Sequence, residues 1–328
     1  MDFWIALPEL MLATALAPAT AAYVMAAVGL NIHFGYTGLM NMGQAGFMLI
    51  GAYGFAISAM SGLGFWPSLL ISMAACTAFA LVLGIPTLRL RGDYLAIVTI
   101  SAAEIIRMVG RASLLKDFTG GANGIPGGQY RPAFSDLSFL PDGKTTILWL
   151  TYENTGVNDW WTRLVAWSVV AILMLFAWLA MRSPWGRVLK GIREDEDAMR
   201  SLGKNAFSYK MQALVIGGMM GGLGGVFMTL PGSVQPDGLG RPVTFWVWTI
   251  VLLGGAATIF GPLLGSVIFF VARLFIVLVT GEFVPTSILN EQQTENFAWM
   301  LVGIALMLIV IFRPQGILGN KKELSFNV

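Results

Sequence analysis

Apolar residues in this chain arrive in long blocks. Nine can be read, at about 8–30, 39–60, 65–87, 93–110, 163–181, 207–230, 243–261, 262–281 and 297–312. Most of these blocks run for roughly 18–24 residues with few or no charges, enough for a helix to cross a hydrocarbon core about 30 Å thick. The pattern predicts an all-α integral membrane protein, one domain over 1–328, with about nine transmembrane helices. The two blocks that meet at Gly261-Pro262 read either as two helices or as one broken element.

Composition agrees. Hydrophobic residues make up 56% of the chain and charged residues 12%, about half the charged share of a soluble domain. Only one cysteine, Cys76, and one histidine, His33, are present. An intrachain disulfide, a His/Cys metal centre and a Ser-His-Asp triad therefore have almost nothing to draw on. No G-x-x-x-x-G-K-[ST] phosphate loop occurs, and "GILGNKKE" at 316–323 has the wrong spacing. The opening "MDFWIALPEL" lacks a basic n-region, so no cleavable signal peptide is expected. Nothing in the composition points to nucleic acid.

The net charge of +2 says little, but its distribution orients the chain. With the C-terminus in the cytoplasm, nine crossings put Arg89, Arg91, Arg182, Arg187, Lys190, Arg193, Arg200, Lys204, Arg313, Lys321 and Lys322 in short inside loops. Arg111, Lys116, Arg131, Lys144 and Arg241 fall outside, spread over more chain. Residues 111–162 then form one extracytoplasmic loop, with a turn-rich run "TGGANGIPGG", a short strand expected within 145–154, and Trp149, Trp160 and Trp161 suited to an interfacial belt.

The 39 glycines concentrate inside the apolar blocks, where small residues let helices approach closely. Gly-Gly and Gly-Pro interruptions at membrane depth also break helices, and freed backbone groups are tolerated only against protein or a wet cavity. One interrupted block falls in each half, 39–60 running outward and 243–261 inward. Opposed broken helices suggest an inverted repeat around a transport path. Ionisable groups in the blocks are few. Glu104 and Arg107 share a helix face and are expected to pair, while Arg273 has no evident partner.

Residues 183–205, "SPWGRVLKGIREDEDAMRSLGKN", are the most charged stretch. Ser183 suits an N-cap with Pro184 at the first helical position. Trp185, Val188, Leu189 and Ile192 form a narrow apolar stripe, and Gly191 is expected to kink or end this first piece. A second piece carries the apolar pairs Ile192/Met199 and Ala198/Leu202. It has an acidic first turn, an i,i+4 pair of Glu196 with Arg200, and Gly203 as its stop. Asp195 and Asp197 read as mid-helix residues pointing in different directions. Four consecutive acids suit a protein partner better than anionic lipid.

The chain also resembles the LivM-type permease subunits of ATP-binding-cassette (ABC) importers for branched-chain amino acids. The likeness is carried by "LNIHFGYTGLMNMGQAGFMLIGAYG" (30–54), "TLRLRGDYLAIVTISAAEIIR" (87–107), "TGGANGI" (119–125), the charged stretch 183–205, "VLLGGAATIFGPLLGS" (251–266) and "FRPQGILG" (312–319). It implies a multi-pass subunit of the bacterial cytoplasmic (inner) membrane. The implied partners are a second homologous permease, two ATPase subunits that bind ATP and Mg, and an extracytoplasmic solute-binding protein. This chain itself would hold no cofactor and catalyse no reaction. Residues 183–205 would be the coupling helix, with Arg193, Glu194, Asp195, Glu196, Ala198 and Gly203 engaging the ATPase. Gly43, Gln44, Gly46, Gly254 and Gly255, at the helix interruptions, are the expected substrate path. His33 and Gln44 depart from the family pattern and leave urea, short amides or other amino acids open as solutes. An ion-coupled carrier working alone is the other class, with Glu104 as its one candidate acid.

Overall fold

The computed structural model describes residues 3–88, 92–140, 143–147, 150–153, 159–284, 290–313 and 315–319. Arg89, Arg91, Trp149, Lys321 and Lys322, used in the charge and aromatic readings above, lie outside them. The described chain is mostly helical. In order, its helices are α1 (Phe3–Ala15), α2 (Pro18–Leu30), α3 (Gln44–Met60), α4 (Phe65–Thr87), α5 (Gly92–Arg111), α6 (Lys116–Thr119), α7 (Pro132–Ser135), α8 (Trp160–Arg182), α9 (Pro184–Glu194), α10 (Glu196–Ser201), α11 (Ala206–Thr229), α12 (Arg241–Gly254), α13 (Gly261–Phe283) and α14 (Glu291–Phe312). A π-helical turn, Asn31–Tyr36, prolongs α2.

Among the described residues, α4, α8, α11 and α13 are each long and apolar enough to span a membrane. Leu7–Ala15 and Pro18–Tyr36, bent by 43° at their break, pass the same test only when taken as one element. The block read as 8–30 is therefore two helices, broken at Leu16-Ala17 ahead of Pro18. The block 39–60 becomes helical only at Gln44, and 243–261 stops at Gly254. At 14 residues α12 is about 21 Å long, short of the hydrocarbon thickness. The Gly261-Pro262 junction resolves into two helices, with Pro262 in the first turn of α13, where a missing N–H costs nothing.

Glycine explains the centre of the fold. In α11, Gly217, Gly218, Gly221, Gly222, Gly224 and Gly225 are all buried. A methyl group on Gly224 would press on the Ala22 carbonyl of α2, and one on Gly225 would collide with the Met48 backbone of α3. Backbone contact this close buries 61% of the apolar window of α11, against 22% for α8 and α13 at the periphery. Without a hydrophobic drive inside lipid, such packing is what holds helices together.

The 112–140 segment closes one end of the bundle. Strand β1 (Ile125–Pro126) pairs antiparallel with β4 (Ser233–Val234), just past α11. Arg131 donates from Nε to the Leu230 carbonyl (2.9 Å) and from Nη2 to that of Pro231 (3.0 Å), while the Tyr130 hydroxyl donates to Thr229 O (2.6 Å). A cation is thus seated on the free carbonyls of the α11 C-terminus. The strand expected in 145–154 is a hairpin, β2 (Lys144–Ile147) against β3 (Leu150–Glu153).

Candidate functional site

The charged stretch forms a bent arm at the opposite end. Pro184 opens α9, but Ser183 does not cap it: its hydroxyl donates back to Ala180 O at 2.7 Å. Leu189 and Ile192 are buried on the inner face. The helix runs straight through Gly191 and breaks instead at Asp195, which is extended (φ −154°, ψ 104°). The Asp195 carboxylate accepts from the N–H groups of Asp197 (3.0 Å) and Ala198 (2.9 Å), so it is the N-cap of α10, not a mid-helix residue. Glycine at 191 serves another purpose: a Cβ there would sit 2.6 Å from Met199 Sδ, where α10 folds back onto α9. Gly203, at φ +76°, ends the arm as expected, with its N–H on Arg200 O and that of Lys204 on Met199 O.

The four acids do not form one anionic face. Glu194 receives Arg193 at 2.6 Å. Glu196 is held by Arg200 at 2.7 Å, the expected i,i+4 pair, and also by Lys210 of α11. Asp197 is 93% exposed and 3.6 Å from Arg200. Ala198 faces solvent, and beyond it Leu202 is 73% exposed. The apolar pair read from the sequence therefore points outward. Lys210 is a site residue that the sequence reading did not single out. No spacing marks Lys210, which lies 14 residues from Glu196.

Arg193 points inward. Its side chain is 15% exposed, and Nη1 donates to Gly35 O at 2.5 Å. The same side chain packs over Gly38, whose φ of +75° calls for glycine. The arm thus touches the π-helical end of α2, where the chain turns back toward α3.

That turn, 37–43, is stitched by buried side chains. His33 Nε2 lies 3.2 Å from Leu214 O, and a carbonyl can only accept, so Nε2 carries the proton. Nδ1 is then an acceptor, matched to the Asn41 amide at 3.0 Å. The same Asn41 nitrogen donates to Gln44 Oε1 (3.1 Å), and Asn41 Oδ1 accepts from Gly43 N–H (2.8 Å). Gln44 Nε2 reaches the carbonyls of Ala26 (3.1 Å) and Gly217 (3.3 Å). Trp248 of α12 donates to Asn41 O at 3.0 Å. All three side chains, His33, Asn41 and Gln44, are fully buried. Asn41 is the hub, and it carries no local signature beyond its place in a glycine-rich run.

A second break, 255–260, hangs on Asn31. Its amide donates to Thr258 O and its Oδ1 accepts from Ala257 N–H, both at 2.8 Å. Ala257 is held at φ +61°, a conformation that L residues rarely adopt and that its surroundings must enforce. The 315–319 turn adds Ile317 N–H to Leu253 O and Leu318 N–H to Gly254 O. These bonds satisfy the last carbonyls of α12.

The expected path residues are packed shut in this conformation. A methyl on Gly43 would meet the Thr99 carbonyl, one on Gly46 would meet Ala103, and one on Gly254 would meet Gly261. Gly255, at φ +111°, abuts Gly319. Gly43 and Gln44 sit together at the first break, with Gly46 one turn into α3, while Gly254 and Gly255 are at the second. Toward the loop end, Glu104 and Arg107 do pair, but within a larger cluster. Arg107 also reaches Asp237, Arg111 lies 3.2 Å from Asp237, and Arg241 lies 3.2 Å from Glu104. Beneath the cluster is a void of only about 10 Å³, bordered by Met42, Ala45 and Thr244. Arg273 has partners too: Glu295 at 3.7 Å and the Trp299 ring at 4.5 Å. Among the described residues, no three His, Cys, Asp or Glu side chains converge as a metal site needs.

Apolar spanning helices, a glycine-packed centre with two interrupted stretches, and an amphipathic arm tied to one interruption describe a membrane permease component. Residues 12–311 match the model of the family described as branched-chain amino acid transport system / permease component, and the chain belongs to that family. It is 34% identical over 314 residues to the high-affinity branched-chain amino acid transport system permease protein LivM of Salmonella typhimurium, covering 92% of this chain and 69% of the relative. With the Escherichia coli LivM the identity is 33% over 326 residues at the same coverage. A probable LivM from Methanocaldococcus jannaschii is 21% identical over 338 residues, covering 91% of each chain.

Proposed function

We propose that this chain is one of two homologous membrane subunits of an ABC importer for branched-chain or related amino acids. The carrying observation is the family match from residue 12 to residue 311, with LivM relatives of one-third identity over 92% of the chain. In this reading it passes solute without making or breaking bonds. A solute-binding protein delivers the solute outside, and two partner ATPase subunits bind ATP and Mg inside. The chain sits in the bacterial cytoplasmic membrane with its C-terminus cytoplasmic. Charge supports the orientation: Arg182, Arg187, Lys190, Arg193, Arg200 and Lys204 lie on or beside the arm, and Arg111, Arg131 and Arg241 lie at the loop end. The nine-crossing count follows if the bent α1–α2 pair is one span and the interrupted α3 and α12 each complete a crossing with their adjoining irregular chain.

The mechanism rests on contacts that form one continuous chain. The arm offers its exposed residues, Glu194, Asp197, Ala198 and Leu202, to an ATPase groove. Glu196, Asp195 and Gly203 keep its shape. Arg193 carries displacement to Gly35, and from the π-helical turn Asn31 reaches the second break while His33 and Asn41 reach the first. Two interrupted stretches held by side chains in place of a helical ladder are the natural places for a gate to yield, since their backbone groups have few alternative partners. Opening there would bring Gly43, Gln44, Gly46, Gly254 and Gly255 to the solute.

The test is reconstitution of the purified complex in proteoliposomes with internal ATP. Uptake of radiolabelled leucine, isoleucine or valine, dependent on ATP and the binding protein, is expected. Uptake of none of them, or uptake driven by an ion gradient without the ATPases, refutes the reading. Leu202→Asp combined with Asp197→Lys should leave the subunit inserted but lose the ATPases on purification.

A further inference from the structure

At the arm end, two hollows open side by side between α8 and the 255–260 break. One, of about 460 Å³, is framed by Arg182, Lys190 and Tyr36. Its neighbour, of about 430 Å³, is walled by Ala171, Met174, Leu175 and Leu263, with no polar side chain. They share Trp178, Ile259 and Phe260, so they form one groove, cationic where α8 ends and purely apolar along the helix. Among the described residues, no acidic residue lines either part. The Arg182 guanidinium stacks 4.2 Å above the Trp178 ring, and the Lys190 ammonium lies 5.7 Å from the Tyr36 ring. Among the described residues neither cation makes an ion pair.

The geometry points to a bound anionic glycerophospholipid, its phosphate between Arg182 and Lys190 and one acyl chain along Ala171, Met174 and Leu263. Three observations select this occupant. The apolar wall belongs to a peripheral helix whose neighbouring side chains, Ile172 and Leu179, are more than half exposed, so hydrocarbon is its ordinary surrounding. Arg182 ends that helix and Lys190 follows on α9, so the two cations flank its end, and basic pockets between helices recognise anionic headgroups. A helix from a second subunit could cover the apolar part, but it would desolvate two cations without supplying a counter-charge. A phospholipid brings the anion and the hydrocarbon in one molecule.

The full chain in nanodiscs of equal parts phosphatidylethanolamine and phosphatidylglycerol, released into mild detergent and read by native mass spectrometry, tests this without any transport step. Retained phosphatidylglycerol should exceed phosphatidylethanolamine. Arg182→Gln should lower its retention about 5-fold, and Arg182→Gln with Lys190→Gln about 30-fold, from the attraction of one or two cations at a membrane surface. Ala171→Trp should empty the groove whatever the headgroup. Arg187→Gln, on the same arm but lining neither hollow, should change nothing. Equal retention of the two lipids by the unaltered chain, retention unchanged in the double variant, or an equal loss in Arg187→Gln would each overturn the proposal.

Discussion

Arg193 offers the sharpest test of how the arm speaks to the membrane interior. Two contacts of its guanidinium bear on the arm. One goes to Glu194, which is 64% exposed, and a pair that open to water is worth at most about 1 kcal/mol. The other is a charge-assisted bond to the Gly35 carbonyl from a side chain only 15% exposed, worth about 1.5–3 kcal/mol. Arg193→Gln removes the second and leaves the fold of α9 intact, because Leu189 and Ile192 still bury its apolar face. The equilibrium between a docked and an undocked arm should then shift by about 10- to 150-fold. In proteoliposomes carrying the assembled complex, solute moved per ATP hydrolysed should fall by about 10-fold or more, with hydrolysis itself retained. Glu194→Gln, which leaves the Gly35 bond in place, should cost less than about 5-fold. Wild-type coupling in Arg193→Gln, or an equal loss in both variants, would show that the Gly35 contact transmits nothing.

Three further outcomes follow from the packing. Gly225→Ala should push α11 off the Met48 backbone and cost about 1–3 kcal/mol or more, seen as a lower midpoint in thermal unfolding in detergent, while Gly232→Ala, which meets nothing, should be near neutral. Asn41→Ala orphans acceptors on His33 and Gln44 and should cost about 1–3 kcal/mol by the same measurement, with Asn41→Asp no rescue because it cannot donate as the amide does. Tyr130→Phe loses the bond to Thr229 O, about 1 kcal/mol. Burial holds the Tyr130 phenol up at about 12, above its ordinary 10.0 despite the nearby Arg131 charge, so the folded state keeps a proton that the unfolded chain releases. The stability it lends is whole below pH 10 and drains away as pH rises toward 12, so the gap between wild type and Tyr130→Phe should narrow across that window.

Much of the architecture is legible in hydrophobic periodicity, because spanning helices must satisfy their own backbone and so announce themselves as uninterrupted apolar runs. The arm's capping chemistry is legible for a related reason: Pro184, the Glu196–Arg200 pair and Gly203 act over a few residues of local chain. The break at Asp195 is not. The sequence offers Gly191 as the weak point, but a glycine inside a helix costs only about 1 kcal/mol. Here the glycine is spent on the close approach of Met199, and the Asp195 carboxylate wins the break by capping the next turn.

The amino-acid sequence by itself determined that this protein lives in a bilayer, which stretch forms the arm, and that one apolar block in each half is interrupted. Tertiary structure alone decided what the interruptions are made of. Asn41 gathers His33, Gln44 and Gly43, Asn31 pins a loop 226 residues away, and Lys210 neutralises an acid on the arm. In each case the partner is chosen by where packed helices bring polar atoms together in a medium without water. That choice depends on three-dimensional proximity and leaves no period or spacing along the chain to read.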